Sequence, residues 1–170
     1  ACASERAPLM TVFDKTADEV LEFPPGEILV IKASGETYRR RIRETGNLRS
    51  CSFERIYFSR GNDLDIYRER KALGAELAKP ILDAIDGDLE HTVFSFIPNT
   101  AEIAFKGMIQ ELRYTRRLEV KQAILDQARN GEITEEFLDE VIMRNWPRSE
   151  KVANKDIKLR TFISQEGSRQ

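Results

Sequence analysis

The stretch CSFERIYFSRGNDLDIYRER, Cys51 to Arg70, decides how this chain is divided. Phe53, Ile56, Tyr57 and Phe58 place four β-favouring residues within six positions, which predicts a strand. Gly61-Asn62 is a turn signal, and Asp63 can accept from the free N–H groups of the helix that the charged run after it predicts. The stretch therefore reads as a junction between two elements and, by the abruptness of the change, between two domains.

Upstream of the junction, Glu27 to Arg43 reads as two strands around a Ser34-Gly35 turn. Ile28, Val30 and Lys32 face one way, Leu29 and Ile31 the other. Pro24-Pro25-Gly26 ends whatever precedes the hairpin, because proline cannot donate to a ladder and glycine permits the reversal. Arg39, Arg41 and Arg43 share one strand face, read as a solvated one.

Downstream, Ile66, Leu73, Leu77, Ile81, Leu82 and Ile85 recur at helical spacing and predict one buried face. Pro80 interrupts that pattern, so a kink or two helices meeting near Ala78-Lys79 is expected. Thr92 to Ile97 is apolar apart from Ser95, the pattern of a strand buried on both faces of a mostly parallel sheet. Pro98-Asn99-Thr100 leads into a helix with Ile103, Ala104, Gly107, Met108 and Leu112 on one face, running to about Ala128. Strand, turn and helix make half of a βαβ unit. A further helix begins at an N-cap, Thr134, with Glu135 and Glu136 in its first turn, and ends before Trp146-Pro147. From Ser149 to Gln170 the chain is polar except for Leu159 to Ile163, and reads as mobile unless a partner orders it.

The 170 residues carry 27 basic and 29 acidic side chains, a formal charge of -2. That balance gives no electrostatic grip on nucleic acid or on an anionic membrane. No apolar run approaches the length of a membrane span, and the N-terminus lacks the layout of a secretion signal. Two distant cysteines, Cys2 and Cys51, do not form a zinc or disulfide framework, and the expected compartment is the cytoplasm.

Pro98-Asn99-Thr100 is the first candidate site. In open α/β sheets ligands gather at the carboxyl ends of strands, where helix N-termini receive phosphate. The same residues can instead simply cap the helix. His91, the single histidine, has no nearby nucleophile or ligand cluster and reads as structural. Asp83, Asp86, Asp88 and Glu90 lack calcium-loop spacing and read as a polar connection.

Four blocks of the chain, in order, resemble the glutamine phosphoribosylpyrophosphate amidotransferases. CASERAPLMTVFD with FPPGEILVIKASGETYRR is similar to the end of that family's glutaminase domain. CSFERIYFSRGND resembles its interdomain segment, HTVFSFIPNTAEIAFKGM its Pro-[DE]-[ST]-[SG] strand and turn, and KLRTFISQEGSR its Arg-Thr-Phe-Ile segment. The resemblance implies an α/β fragment in which terminal strands of an Ntn-type glutaminase sandwich, residues 1–60, join the first helix-strand-helix elements of a phosphoribosyltransferase-type sheet, residues 61–170. Residues 111–150 have no counterpart in the commoner members and read as a helical insertion.

Neither the Cys-Gly-Ile start of the family's glutaminase half nor the Asp-Asp-Ser and Gly-Thr-Thr motifs of its transferase half is present. The chain is therefore expected to be a middle segment of an enzyme that makes phosphoribosylamine from glutamine and phosphoribosylpyrophosphate in purine biosynthesis. Alone it is expected to be inactive, with no catalytic residue of its own. The resemblance implies that Asn99 and Thr100 contact substrate, that the Thr100 hydroxyl faces Mg²⁺, and that Arg160 and Arg169 belong to a loop closing over pyrophosphate. Asn99 stands where an acidic residue is commoner, and the Arg160 to Arg169 spacing is one residue short.

Some members of that family bind an iron–sulfur cluster through a cysteine at the position of Cys51. A cluster takes about four thiolates and this chain has two cysteines, so Cys51 is read as a buried structural residue. The strand edges that truncation leaves predict a homo-oligomer. The competing expectation is a non-catalytic interaction or regulatory domain of the same descent, with the helices from Glu111 to Asn145 as its binding surface.

Overall fold

The alternation in Glu27 to Ile31 and the left-handed glycine after Ser34 produce a hairpin, seen in a computed structural model that describes residues 1–47 and 49–155. The chain divides into two units, residues 1–63 and 64–170, each described by itself. Helices and short strands both contribute, so the fold is mixed α/β.

In the first unit a helix, α1 (Arg6–Phe13), is followed by a 3-10 turn, Ala17–Glu19, and by β1 (Glu27–Ile31) and β2 (Thr37–Arg41). The strands are antiparallel, with Glu27 opposite Arg41 and Val30 opposite Tyr38. Gly26, at φ +75°, closes the base of the ribbon: its carbonyl accepts from Ile42 N (2.9 Å) and Arg43 N (3.2 Å). An added Cβ there would lie 2.4 Å from the Arg43 carbonyl oxygen. Arg6 donates through two guanidinium nitrogens to the Asp63 carboxylate, tying the start of α1 to the end of the unit.

The predicted basic face is solvated, as every β2 residue is exposed. It is also neutralised, because Glu27 accepts from Arg39 Nε and from Arg41 Nη2 (3.3 Å). The hydrogen bond from Arg39, then that from Arg41 and the charge of both, hold the Glu27 carboxyl below its ordinary value of 4.5. A depressed carboxylate contributes stability above its unfolded value and loses it as pH falls through its folded value. Carboxyl-carbon NMR titration should place Glu27 below 4.5, and Arg39→Gln should return it upward; an unchanged midpoint would show the pair to be absent in solution.

The Phe53 to Phe58 run is not a strand. Residues Glu54–Phe58 form a π-helical turn. With only β1 and β2 in that unit's described sheet, β-favouring side chains find no ladder to join, and β propensity yields to context. The wide turn instead stacks the aromatics, with the Phe53 ring 4.5 Å from Tyr57 and 5.6 Å from Phe58. No described residue before Ile66 is buried, which is what a lone two-stranded ribbon allows.

The second unit runs α2 (Leu64–Glu76), α3 (Ala78–Ala84), β3 (Val93–Phe94), α4 (Glu102–Asn130), α5 (Glu135–Met143) and β4 (Arg148–Ser149). Two helices do meet at Leu77. Pro80 then sits in the first turn of α3, where a missing N–H costs nothing. The buried face of α2 differs from the apolar pattern: Ile66, Arg70 and Gly74 are buried, while Leu73 and Leu77 are half exposed. The α2 and α4 backbones touch through glycines, so bulky side chains are pushed off the seam. A Cβ on Gly74 would lie 1.7 Å from the Ala104 carbonyl oxygen, and one on Gly107 2.0 Å from that of Lys71.

Below that seam lies the core: Ala78, Leu89, Phe94, Met108, Ile109 and Leu112, with Ile81, Leu82, Ile85 and Phe105 packed on it. Helix α4 is continuous through the proposed start of the insertion at 111. Thr134 caps α5 as expected, its hydroxyl accepting from Phe137 N at 3.2 Å, worth about 1 kcal/mol. Asn145, at φ 58°, turns the chain after α5 and accepts from Leu89 N at 3.0 Å. This anchors the return into β4, which pairs parallel to β3 with Val93 opposite Arg148.

The strand predicted over Thr92 to Ile97 is shorter and less buried than expected. Only Val93 and Phe94 pair, Val93 is half exposed and Ile97 is exposed. One neighbouring strand among the described residues covers one side only. No helix among the described residues is long and apolar enough to cross a membrane. The tail expected to be mobile is held at its start, where Ser149 pairs in β4, Glu150 N donates to Phe94 O at 3.0 Å and Val152 N to the Ser95 hydroxyl at 3.3 Å; residues 156–170, with Leu159 to Ile163, lie outside the described residues.

Candidate functional site

The β3-to-α4 connection is where sequence and chemistry first point. After Phe94, Ser95 to Ile97 continue without pairing, and Pro98, Asn99 and Thr100 turn into the helix. Asn99 and Thr100 are exposed. Neither caps α4: the residue at the N-cap is Ala101, which has no side-chain bond, and the local backbone bond is Glu102 N to Asn99 O at 3.2 Å. The capping alternative is thus corrected, since the helix begins at Glu102, two residues beyond Thr100. The opening turn carries Glu102, whose carboxyl is held low by the Lys106 ammonium that donates to it at 2.8 Å. An anion at this helix start would therefore meet a carboxylate as well as free N–H groups.

A magnesium ion needs more than this loop offers. Among the described residues no group of three or more His, Cys, Asp or Glu could hold a metal. Thr100 can contribute one hydroxyl oxygen beside substrate oxygens, in keeping with magnesium's habit of retaining water and substrate ligands. Arg160 and Arg169 lie outside the described residues, so Asn99 and Thr100 are not seen together with them.

The other singled-out residues are plain in their surroundings. Cys2 and Cys51 are both free and exposed, so Cys51 is not the buried residue expected; the turn that holds it belongs to a unit without described buried positions. His91 is exposed, with Nδ1 3.1 Å from both Asp88 carboxylate oxygens and its N–H donating to Asp88 at 3.0 Å. These contacts, the backbone one foremost, hold the Asp88 carboxyl low. They close a turn, the polar connection expected.

Two cavities flank α4. One, of about 370 Å³, lies among Leu82, Asp86, Leu89, Leu112, Arg116 and Glu119. Arg116 is mostly committed to the fold: Nη2 donates to Val141 O at 2.9 Å, completing the carbonyl end of α5, and Nη1 meets Glu119 at 3.2 Å. Its Nε is buried without a hydrogen-bond partner among the described residues.

The other cavity, of about 430 Å³, is basic and aromatic. Phe96, Phe105, Ile109, Arg113, Arg117 and Ser149 line it, and the Phe96 and Phe105 ring centres are 4.9 Å apart. Lys106 also lines it, already paired with Glu102. Arg113 and Arg117 have no hydrogen-bond or ion-pair partner among the described residues. The spacing 106, 113, 117 puts all three cations along one helical stripe, a signal readable in the sequence but eclipsed by the apolar stripe beside it. Phe96 and Ser149 could be placed there only once β3 and β4 had paired. No family model, curated protein or solved structure matches this chain.

Proposed function

We propose that this chain is a segment of an amidophosphoribosyltransferase, with residues 1–60 ending the glutaminase domain and 61–170 opening the transferase domain. Four blocks of sequence in the family's order support the reading. The observation that carries it is local: a short strand paired parallel to another leads through Pro98-Asn99-Thr100 into a long helix. That is the layout in which α/β folds receive phosphorylated ligands. The exposed ribbon of β1 and β2 is consistent with strands that need further partners, either the rest of a sandwich or a second copy.

In this reading the whole enzyme hydrolyses the glutamine amide with water to glutamate and ammonia, and the ammonia displaces pyrophosphate from the anomeric carbon of phosphoribosylpyrophosphate. Much of the catalysis is positioning and charge neutralisation at the leaving group. Thr100 contributes one oxygen to magnesium on the substrate, Asn99 flanks it, and Arg160 and Arg169 serve the pyrophosphate. The two cysteines of this segment supply fewer than the about four thiolates that an iron–sulfur cluster takes, so a cluster in the whole enzyme would draw further ligands from outside it.

The test uses the natural protein that contains this sequence, supplied with glutamine, phosphoribosylpyrophosphate and Mg²⁺. Glutamate and pyrophosphate should appear together, and Thr100→Ala should lower pyrophosphate release about tenfold or more, in the range of one lost oriented contact. A protein that binds neither substrate would overturn the reading.

A further inference from the structure

We propose that the cavity beside α4 lined by Phe96, Phe105, Arg113, Arg117 and Ser149 binds an organic oxyanion: a flat apolar body bearing a phosphate or carboxylate group. The proposal stands on this cavity alone and does not depend on the transferase reading, because Arg113 and Arg117 lie in the stretch without counterpart in that family.

Three observations meet there. First, the cavity holds about 430 Å³, room for a body of a few fused rings rather than for an inorganic ion alone. Small-molecule sites are mostly apolar with a few convergent polar groups. Second, its apolar wall is the tilted Phe96–Phe105 pair with Ile109, a surface on which a planar group gains stacking as well as burial. Third, the wall is bordered by cations that the fold does not use. Arg113 and Arg117 are one turn apart on α4, so their like charges repel. Lys121 continues the same row one further turn along. By contrast, Lys106 is paired with Glu102, Arg129 with Asp126 and Arg148 with Glu150.

An oxyanion between the two guanidinium forks would relieve that repulsion through charge-assisted, bidentate hydrogen bonds. The Ser149 hydroxyl offers a further donor, and Lys106 adds positive potential at one end. Glu102 is drawn to Lys106 and Glu119 to Arg116, and neither they nor Glu111 line the cavity, which leaves Arg113 and Arg117 open. Phosphate and carboxylate share this recognition chemistry, and the choice between them is a matter for measurement.

Calorimetric titration of the full chain with 1-naphthyl phosphate and 1-naphthoate tests it, with inorganic phosphate and 2-naphthol as partial probes. At least one naphthyl anion should bind about tenfold or more tightly than either partial probe, a difference of about 1.4 kcal/mol. The tighter of the two identifies the headgroup. Arg113→Gln with Arg117→Gln should weaken that binding about tenfold or more with thermal unfolding unchanged or raised, since both side chains are exposed and like-charged. Phe105→Leu should weaken the naphthyl anions and leave inorganic phosphate unaffected. No binding of either naphthyl anion at millimolar concentration, binding as tight in the double arginine variant, or inorganic phosphate binding as tightly as the naphthyl anions would each overturn the proposal.

Discussion

Replacing Gly107 with alanine is expected to destabilise the second unit by about 1–3 kcal/mol, the usual range for an overpacked interior. Helix propensity alone has the opposite sign, since alanine is better than glycine in a helix interior by roughly 1 kcal/mol. The structure decides between them. A Cβ on Gly107 would sit 2.0 Å from the Lys71 carbonyl oxygen, with further backbone atoms of Lys71 behind it. Backbone cannot rotate aside as a side chain can, so α2 and α4 would have to separate.

Gly74→Ala meets the same seam from the other side, 1.7 Å from the Ala104 carbonyl oxygen, and should behave alike. The double variant should lose less than the sum, because one separation relieves both clashes and neighbouring substitutions are not additive. Urea unfolding followed by circular dichroism reads all three. A rise in midpoint for either single variant would mean that the two helices do not touch at the backbone.

Leu112→Ala is expected to cost about 2–5 kcal/mol, the range for a buried leucine whose surroundings collapse incompletely. Leu112 has no exposed surface, the lowest of the core residues, and it lies in the N-terminal half of α4 as a member of the core cluster. It also lines the 370 Å³ cavity, so the space left by truncation adds to existing space instead of closing. Leu118, half exposed on the same helix, is the control: Leu118→Ala should change stability by no more than about 0.5 kcal/mol. Domains of this size hold about 5–15 kcal/mol in all, so the loss is a large fraction of the total and should lower the urea midpoint measurably. Equal losses at the two positions would show that α4 does not bury the face described.

Much of the architecture was legible in the sequence because it rests on local chemistry. The Ser34-Gly35 turn between alternating residues, Pro80 inside a helical pattern and Thr134 before two glutamates each constrain the backbone within a few residues. Hairpin, helix break and N-cap follow from them wherever the chain is placed. The candidate loop at Pro98-Asn99-Thr100 was legible for the same reason, as a turn between an apolar run and an amphipathic one.

Where the outcome depended on a neighbour, the sequence misled. Phe53 to Phe58 has the composition of a strand, yet a strand exists only when another pairs with it, and the aromatics instead stack around a helical turn. Leu73 and Leu77 fit the apolar stripe of α2, but the closest approach of α4 is made at Gly74, and hydrophobicity does not register a contact made by absence of a side chain. Cys51 is exposed because no layer among the described residues covers its turn.

By itself, then, the sequence determined the hairpin turn between β1 and β2, the helix break at Pro80, the start of α5 and the turn that bears Thr100, all of which depend on residues within a few positions of one another. Only the tertiary structure decided which faces are buried and which cations are left over. Burial is fixed by how closely two backbones approach, and that distance was set by Gly74 and Gly107, 33 positions apart in the chain. The same packing brought Phe96 and Ser149 beside Arg113 and Arg117, making a cavity from residues that share no local pattern.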